Sequence, residues 1–321
     1  MKVLYLDFEA SFPQLFGELI FMINDIAIRV ATFNWLQDQV EIHGDVLPRD
    51  LLQKGFQFKG QRVPLVSPQG IFKPRLMDLP LTITTTPNSP YQDQYSEDGF
   101  LLYKYRGTDP SHPDNVGLRK VMEQEKPLVY FHGIVPGKYL AVWPVFIIGD
   151  DPQNLTFTIA VDDMSLYDIQ SESDRKVSED VIGRRAYITT TTKVRLHQRE
   201  FREKVLRAYR SQCAFCRLKH RELLDAAHII PDREVKSEVT VNNGLSLCKL
   251  HHAAFDSFIL GVTPDYKIKV REDVLEEEDG PTLKYGLQSL NGSPLILPHQ
   301  KGNYPDKDAL DWKYKQFLEK S

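Results

Sequence analysis

The sequence predicts an α+β chain in two parts: an N-terminal curved β-sheet or partial barrel with flanking helices, and a smaller C-terminal unit built around close Cys and His pairs. Three observations predict it. Between about residues 79 and 161, short apolar or alternating runs are separated by Pro, Gly, Asp and Asn clusters, the pattern of successive strands. A polar, acidic stretch at 162–180 follows and reads as a connection between domains. Beyond it lie all three cysteines, spaced Cys213-x-x-Cys216 and then Cys248.

Taken in order, Ile26, Val30, Phe33, Leu36 and Val40 recur at helical spacing, so an amphipathic helix is expected over 26–40, ended by Gly44 and Pro48. Strands are expected at 79–84, 101–105, 128–131, 142–148 and 155–161, with one short helix near 115–125. The threonine tract 189–192 leads into a basic helix, 194–210, with Phe201, Val205 and Ala208 on one face. The acidic run 272–279 reads as an exposed loop. The boundaries that follow are a first domain at 1–162, a linker at 163–192 and a second domain at 193–321. Trp35, Trp143 and Trp312 read as core aromatics.

The chain has 321 residues, 41% of them hydrophobic and 26% charged, enough for two ordinary cores. A net charge of −4 gives no bulk attraction to nucleic acid, so such a partner must be held by a local patch. The first residues lack the apolar core of a signal peptide. The most apolar early stretch is interrupted by Glu18, Asp25 and Arg29, too soon for a membrane span. A soluble, cytoplasmic protein is expected.

Chemistry concentrates in one segment: Cys213-Ala-Phe-Cys216, Asp225-Ala-Ala-His228, Asn242-Asn243-Gly244 and Cys248-Lys-Leu-His251-His252-Ala-Ala-Phe-Asp256. Cys213, Cys216, Cys248 and His251 form two close pairs with the N/S donors of a closed, structural tetrahedral zinc site. Three thiols make no disulfide framework. His252 and Asp256 are four residues apart, so on a helix they share a face and can ligate one divalent ion. Asp256 can equally pair or cap on the helix surface. Asn243 is followed by glycine, and an Asn-Gly pair is also a turn former.

With these residues in view, 195–270 resembles the HNH, or ββα-metal, endonuclease family: a hairpin carrying His, a loop carrying Asn and a helix carrying His. The steps from His228 to Asn243 and from Asn243 to His252, 15 and 9 residues, fit its motif. The resemblance implies hydrolysis of a DNA phosphodiester, with His228 as general base, Asn243 aiming it, and His252 holding Mg²⁺ or Mn²⁺. A neutral histidine with a pKa of about 6.5 can take a proton from water at neutral pH. Ala227 stands where many members carry a metal ligand; Asp225, two positions earlier on the same strand face, is the candidate replacement. Upstream, residues 193–222 hold ten basic side chains against three acidic ones. Of these, Arg195, Arg199, Arg202, Arg207 and Arg210 are candidates to lie along the DNA backbone. One such centre cuts one strand, so a homodimer is expected for double-strand cleavage.

In the N-terminal part, Asp98 to Asp109, Asp114-Asn115-x-Gly117-Leu118-Arg119 and Pro127 to Ile134 resemble the SRA-like (PUA superfamily) module. Arg106 stands where that module's signature carries an acid. The resemblance implies a reader of modified cytosine in double-stranded DNA, found before HNH domains in prokaryotic modification-dependent restriction enzymes directed at phage or foreign DNA. A flipped base needs aromatic faces and polar edge contacts. Tyr91, Asp93, Tyr103, Tyr105 and Asp109 are the pocket candidates, although alternating tyrosines in strands also read as core or cross-strand pairs.

Overall fold

The computed structural model describes residues 12–87, 94–96, 99–162, 179–231, 234, 240–278 and 280–320. The chain divides into two compact units, Met1–Leu196 and His197–Ser321, and its architecture is mixed α+β.

The first unit opens with α1 (Phe12–His43), which ends where Gly44 turns to φ +76° and its N–H reaches the Val40 carbonyl at 2.8 Å. The face that packs differs from the one expected. Phe33 and Leu36 are buried, but Ile26 and Val30 are exposed, and Ile28, Arg29 and Thr32 take their place. The reason is Arg29, only 2% exposed. Its guanidinium is held by Asp25 at 2.8 Å and donates to the carbonyls of Pro80 and Pro127 at 3.0 and 2.7 Å. With every charge-bearing atom satisfied, an arginine can occupy a buried stripe that an apolar count cannot see.

Next come β1 (Val46–Pro48), α2 (Arg49–Lys54), the hairpin β2 (Phe56–Phe58) and β3 (Gln61–Val63), then β4 (Ile71–Phe72), β5 (Thr82–Thr85), β6 (Gln94–Tyr95), β7 (Leu101–Lys104), α3 (Pro113–Glu123), β8 (Leu128–Val135), β9 (Lys138–Asp151) and β10 (Thr156–Val161). The main sheet runs β4-β5-β8-β9-β10-β7-β6, with β1 also on β9, and curls into a half-barrel. Its described pairs are antiparallel except β5 with β8. In β8, Leu128 and Tyr130 face one core, with Leu118 and Val121 of α3; Val129 and Phe131 face another, with Ile28, Phe33 and Leu36 of α1. A strand covered on both faces loses polar alternation, which is why 128–131 reads as an unbroken apolar run. Trp35 and Trp143 pack at the edge of the second core, while Trp312 is half-buried.

Then α4 (Glu179–Ala208) begins within the stretch expected as linker and is longer than the expected basic helix. Among its described residues, Ile188 packs on the core and polar groups add ties to its first half. Thr189 is buried, its hydroxyl accepting from the Val161 N–H at 2.9 Å and donating to the Arg185 carbonyl at 2.7 Å. Arg185 pairs with Asp162 at 2.8 Å. A helix held this way shows no apolar period to a sequence reader. Among the described residues, no helix is long and apolar enough to cross a membrane.

The second unit contains β11 (Leu224–His228), β12 (Gly244–Cys248), α5 (Lys249–Asp256), β13 (Leu260–Val262), β14 (Ile268–Val270), α6 (Glu272–Glu276), α7 (Pro281–Gly286) and α8 (Lys307–Glu319). Its core gathers Phe201, Val205, Leu206 and Tyr209 from the end of α4 with Leu245, Leu247, Phe255, Leu260 and Leu310. The acidic run expected as a loop is largely α6, because Val274 buries itself among the glutamates.

Candidate active site and metal centres

β11 and β12 pair antiparallel with Leu224 opposite Cys248 and His228 opposite Gly244, and α5 follows without a break. This hairpin and helix place two clusters side by side along the chain.

The first cluster is Cys213, Cys216, Cys248 and His251, whose donor atoms all lie within 4.8 Å of one another. Around a tetrahedral ion with bonds of about 2.3 Å, sulfurs sit about 3.8 Å apart, so the donor set fits zinc. His251 is buried, and its Nε2–H donates to the Gly286 carbonyl at 2.7 Å. That fixes the tautomer and turns the Nδ1 lone pair toward Cys213 and Cys248, at 3.4 and 3.2 Å. Hydrogen bonds from the Cys213 and Cys216 thiols hold the Cys248 thiol well below its ordinary range, favouring the thiolate that binds metal.

The second cluster lies on the other side of α5. His252 Nε2 is 3.2 Å from Asp256 Oδ2, and His252 Nδ1 is 3.8 Å from Asp225 Oδ2. Neighbouring donors on an octahedral ion with bonds of about 2.1 Å lie about 3.0 Å apart, so the His252–Asp256 pair fits a divalent cation. Asp225 is brought to His252, but at the opposite ring nitrogen; one ion cannot take both nitrogens. Asp225 also accepts from the Ala226 N–H at 2.9 Å and pairs with Arg202 at 3.3 Å. The Asp256 hydrogen bond raises the His252 pKa above its ordinary value, against burial, with help from the Asp256 and Asp225 charges. Burial raises Asp256, yet its hydrogen bond to His252 and the charges of His252, Lys313 and His228 leave it below the usual carboxylate range.

His228 ends β11 with its imidazole stacked on the ring of Phe201, centroids 3.9 Å apart and planes 11° from parallel. Opposite it, Gly244 follows the turn at Val241–Asn243 with an extended backbone, at φ −133° and ψ 143°. A Cβ there would lie 2.5 Å from Val205 Cγ2 and 2.8 Å from Phe201 Cζ, so glycine makes room for the ring on which His228 rests. Asn243 is buried and clamps the strand just past His228. Its side chain accepts from the Ile230 N–H at 2.8 Å and donates to the Ile230 carbonyl at 3.0 Å, while its own carbonyl accepts from Ile229 at 2.9 Å.

Of the arginines expected on a DNA backbone, Arg207 and Arg210 are exposed and Arg199 is half-buried. The side chain of Arg195 lies outside the described residues. Arg202 is spent internally, on Asp225, Glu203 and the Leu224 carbonyl.

In the N-terminal unit, Tyr103 and Tyr105 line a cavity of about 290 Å³ with Gly70, Thr84, Thr85 and Arg106. Both are largely buried. Tyr105 donates to Asp150, receives Arg119 at 3.2 Å and stacks on Phe157 at 4.5 Å. Asp109 is exposed and closes its own turn on Ser111. Tyr91 and Asp93 lie outside the described residues. Asn115, fully buried, holds the Arg106–Asp109 backbone through three hydrogen bonds. Sequence reasoning did not mark the Phe201 stack, the Gly286 acceptor or Lys313, a lysine on the buried stripe of α8.

A hairpin ending in histidine, an asparagine clamp and a helix bearing a second histidine make up a ββα unit. Residues 213–263 match the family described as HNH endonuclease, so the chain carries the catalytic domain of a DNA endonuclease. No curated protein matches the chain. Among solved structures, the modification-dependent TagI restriction endonuclease is similar at 16% identity, over 74% of this chain and 81% of that one, with a TM-score of 0.29.

Proposed function

We propose that this chain is a modification-dependent endonuclease in which the C-terminal unit hydrolyses DNA and the N-terminal unit, as an SRA-like reader, senses a modified cytosine. The observation that supports the nuclease reading is the Asn243 clamp on the residues following His228, which in this reading aims the imidazole. In this reading His228 takes a proton from water as its oxygen attacks phosphorus, and the bond to the 3′ oxygen breaks. Phe201 fixes the plane of the imidazole through that transfer. His252 and Asp256 hold a divalent cation, Mg²⁺ or Mn²⁺, which when bound supplies charge stabilisation to the phosphate and leaving oxygen. Cys213, Cys216, Cys248 and His251 hold structural zinc. Arg199, Arg207 and Arg210 lie along the DNA backbone. The working state is a cytoplasmic homodimer cutting both strands of phage or foreign DNA in a prokaryotic cell.

For the sensor, the cavity beside Tyr103 and Tyr105 supports a pocket for a flipped base. A second reading, an N-terminal unit that recognises unmodified or structured nucleic acid, is favoured by the commitment of Tyr105 and Asp109 to internal hydrogen bonds. Digestion of matched duplexes bearing cytosine, 5-methylcytosine or 5-hydroxymethylcytosine by the full chain, in Mg²⁺ and in Mn²⁺, separates the two. Cleavage restricted to a modified duplex supports the first; equal cleavage of all three establishes the second.

A further inference from the structure

On α8, well beyond the matched residues, Ala309, Leu310, Lys313 and Phe317 are the buried positions. Three are apolar, as a helix packed on a core requires, and the fourth is a lysine only 6% exposed. Its ammonium lies over the faces of Phe255 and Phe258, at 4.9 and 4.8 Å, and 3.9 Å from Asp256 Oδ1. The other oxygen, Oδ2, is the one beside His252 Nε2 at 3.2 Å. The carboxylate is therefore spanned, one oxygen toward Lys313 and one toward the candidate cation ligand.

The position of α8 is itself fixed. Asn242, next to the clamping Asn243, donates to the carbonyls of Gly302 and Tyr304 at 2.9 and 2.7 Å, and its carbonyl accepts from the Asp306 N–H at 2.9 Å. Asp306 caps the helix by accepting from Ala309 at 2.8 Å. Further along, Phe317 packs so closely on Gly261 that a Cβ there would lie 2.7 Å from its ring. Lys313 thus comes to Asp256 from an anchored helix, whereas Asp256 is half exposed at the last turn of the short α5.

Burying an ammonium costs desolvation that a leucine or methionine at the same place would avoid. The two rings and the carboxylate, beside the candidate cation site, offset that cost. We propose that Lys313 is a positioning residue for that site: it holds Asp256 Oδ1 so that Oδ2 stays beside His252 Nε2. The inference rests on the reading of His252 and Asp256 as ligands of a divalent cation.

The test is Mn²⁺ affinity of zinc-loaded full-length protein, measured by titration alongside thermal melting. Lys313→Met, apolar and of similar length, should fold and bind Mn²⁺ about 10-fold more weakly, the scale of losses when a ligand's outer partner is removed. Lys313→Arg should recover most of the affinity. In an Asp256→Asn background, Lys313→Met should change Mn²⁺ affinity no further, since its effect passes through that carboxylate. A purely structural lysine would shift melting equally in both backgrounds and leave Mn²⁺ affinity alone; that result overturns the proposal. So does tighter binding in Lys313→Met, which would make the ammonium a repulsive charge and not an orienting one. If Lys313→Met fails to fold, unchanged affinity in Lys313→Gln overturns it. His252→Ala distinguishes the two levels: Mn²⁺ affinity unchanged by that substitution removes the cation site and the inference with it. Loss with His252→Ala but not with Lys313→Met removes the inference alone.

Discussion

The ring of Phe201 lies face to face with the imidazole of His228, 3.9 Å away and 11° from parallel, although 27 positions separate them in the sequence. A proton acceptor must keep its lone pair on the attacking water, and displacements near 1 Å cost about 100-fold in rate. Phe201→Ala is therefore expected to lower single-turnover cleavage by about 10–100-fold, with divalent-ion affinity unchanged. Single-turnover cleavage and Mn²⁺ titration of the same preparation check this; wild-type rates would remove the stack from the mechanism.

Gly244→Ala attacks the same contact from the other side. The added Cβ meets Val205 and Phe201, and overpacking of this kind costs about 1–3 kcal/mol. Denaturant unfolding should show that loss, and activity should fall further than in a neutral strand substitution because the ring must move. A variant as stable and active as wild type would mean the strand shifts freely.

Asn243→Ala removes both side-chain hydrogen bonds to the Ile230 backbone, a cost of about 1–3 kcal/mol. Asn243→Asp keeps the acceptor for the Ile230 N–H but loses the donor to its carbonyl, so it should fall between Ala and wild type in both stability and cleavage. Should Asp prove worse than Ala in both, the clamp is not what the asparagine supplies.

Zinc removal should unfold the C-terminal unit, since ligands gathered from 213–216 and from 248–251 are brought together only in the fold. Metal analysis is expected to give about one zinc per chain, and Cys216→Ser should melt early or aggregate. Soluble, active protein without zinc would refute the assignment.

The pH dependence follows from His252 and Asp256, whose pKa values are pushed apart by their pairing. In protein without a divalent cation, the raised His252 pKa stabilises the fold fully below the unfolded value, and this contribution is lost as pH rises through the folded one. The lowered Asp256 pKa stabilises above its unfolded value, and this is lost as pH falls through the folded one. A cation at Nε2 must displace the proton, so Mn²⁺ affinity should weaken on acidification, beginning at a higher pH than for an ordinary histidine. Titrations and melting curves across pH check both signs; Mn²⁺ affinity insensitive to pH would exclude His252 as a ligand.

The nuclease motif was legible because its chemistry is local: Cys213-x-x-Cys216, Cys248-x-x-His251 and His252-x-x-x-Asp256 declare their spacing in the chain. The strands over 101–161 were legible for the same reason, each being a short apolar run between breakers. Less visible was whatever depends on polar groups buried at long range. Arg29 turned the packed face of α1, Thr189 and Arg185 tied the first half of α4 to Val161 and Asp162 through polar groups, and Lys313 entered the candidate site from α8. The packing role of Gly244 was not legible, because Asn-Gly is a turn signal in isolation and only the neighbouring Phe201 shows that room was needed.

His251 and His252 are adjacent, and a helix turns their side chains about 100° apart, so one turn of α5 addresses both the Cys₃His cluster and the cation site. In the reading proposed above, two ions that never meet would share this one helix. Whatever factor an occupied cluster adds to cation affinity at His252, an occupied cation site must add to zinc affinity in return. Any such factor would be read twice on a helix of eight residues, once as cation affinity with and without zinc and once as zinc retention with and without the cation.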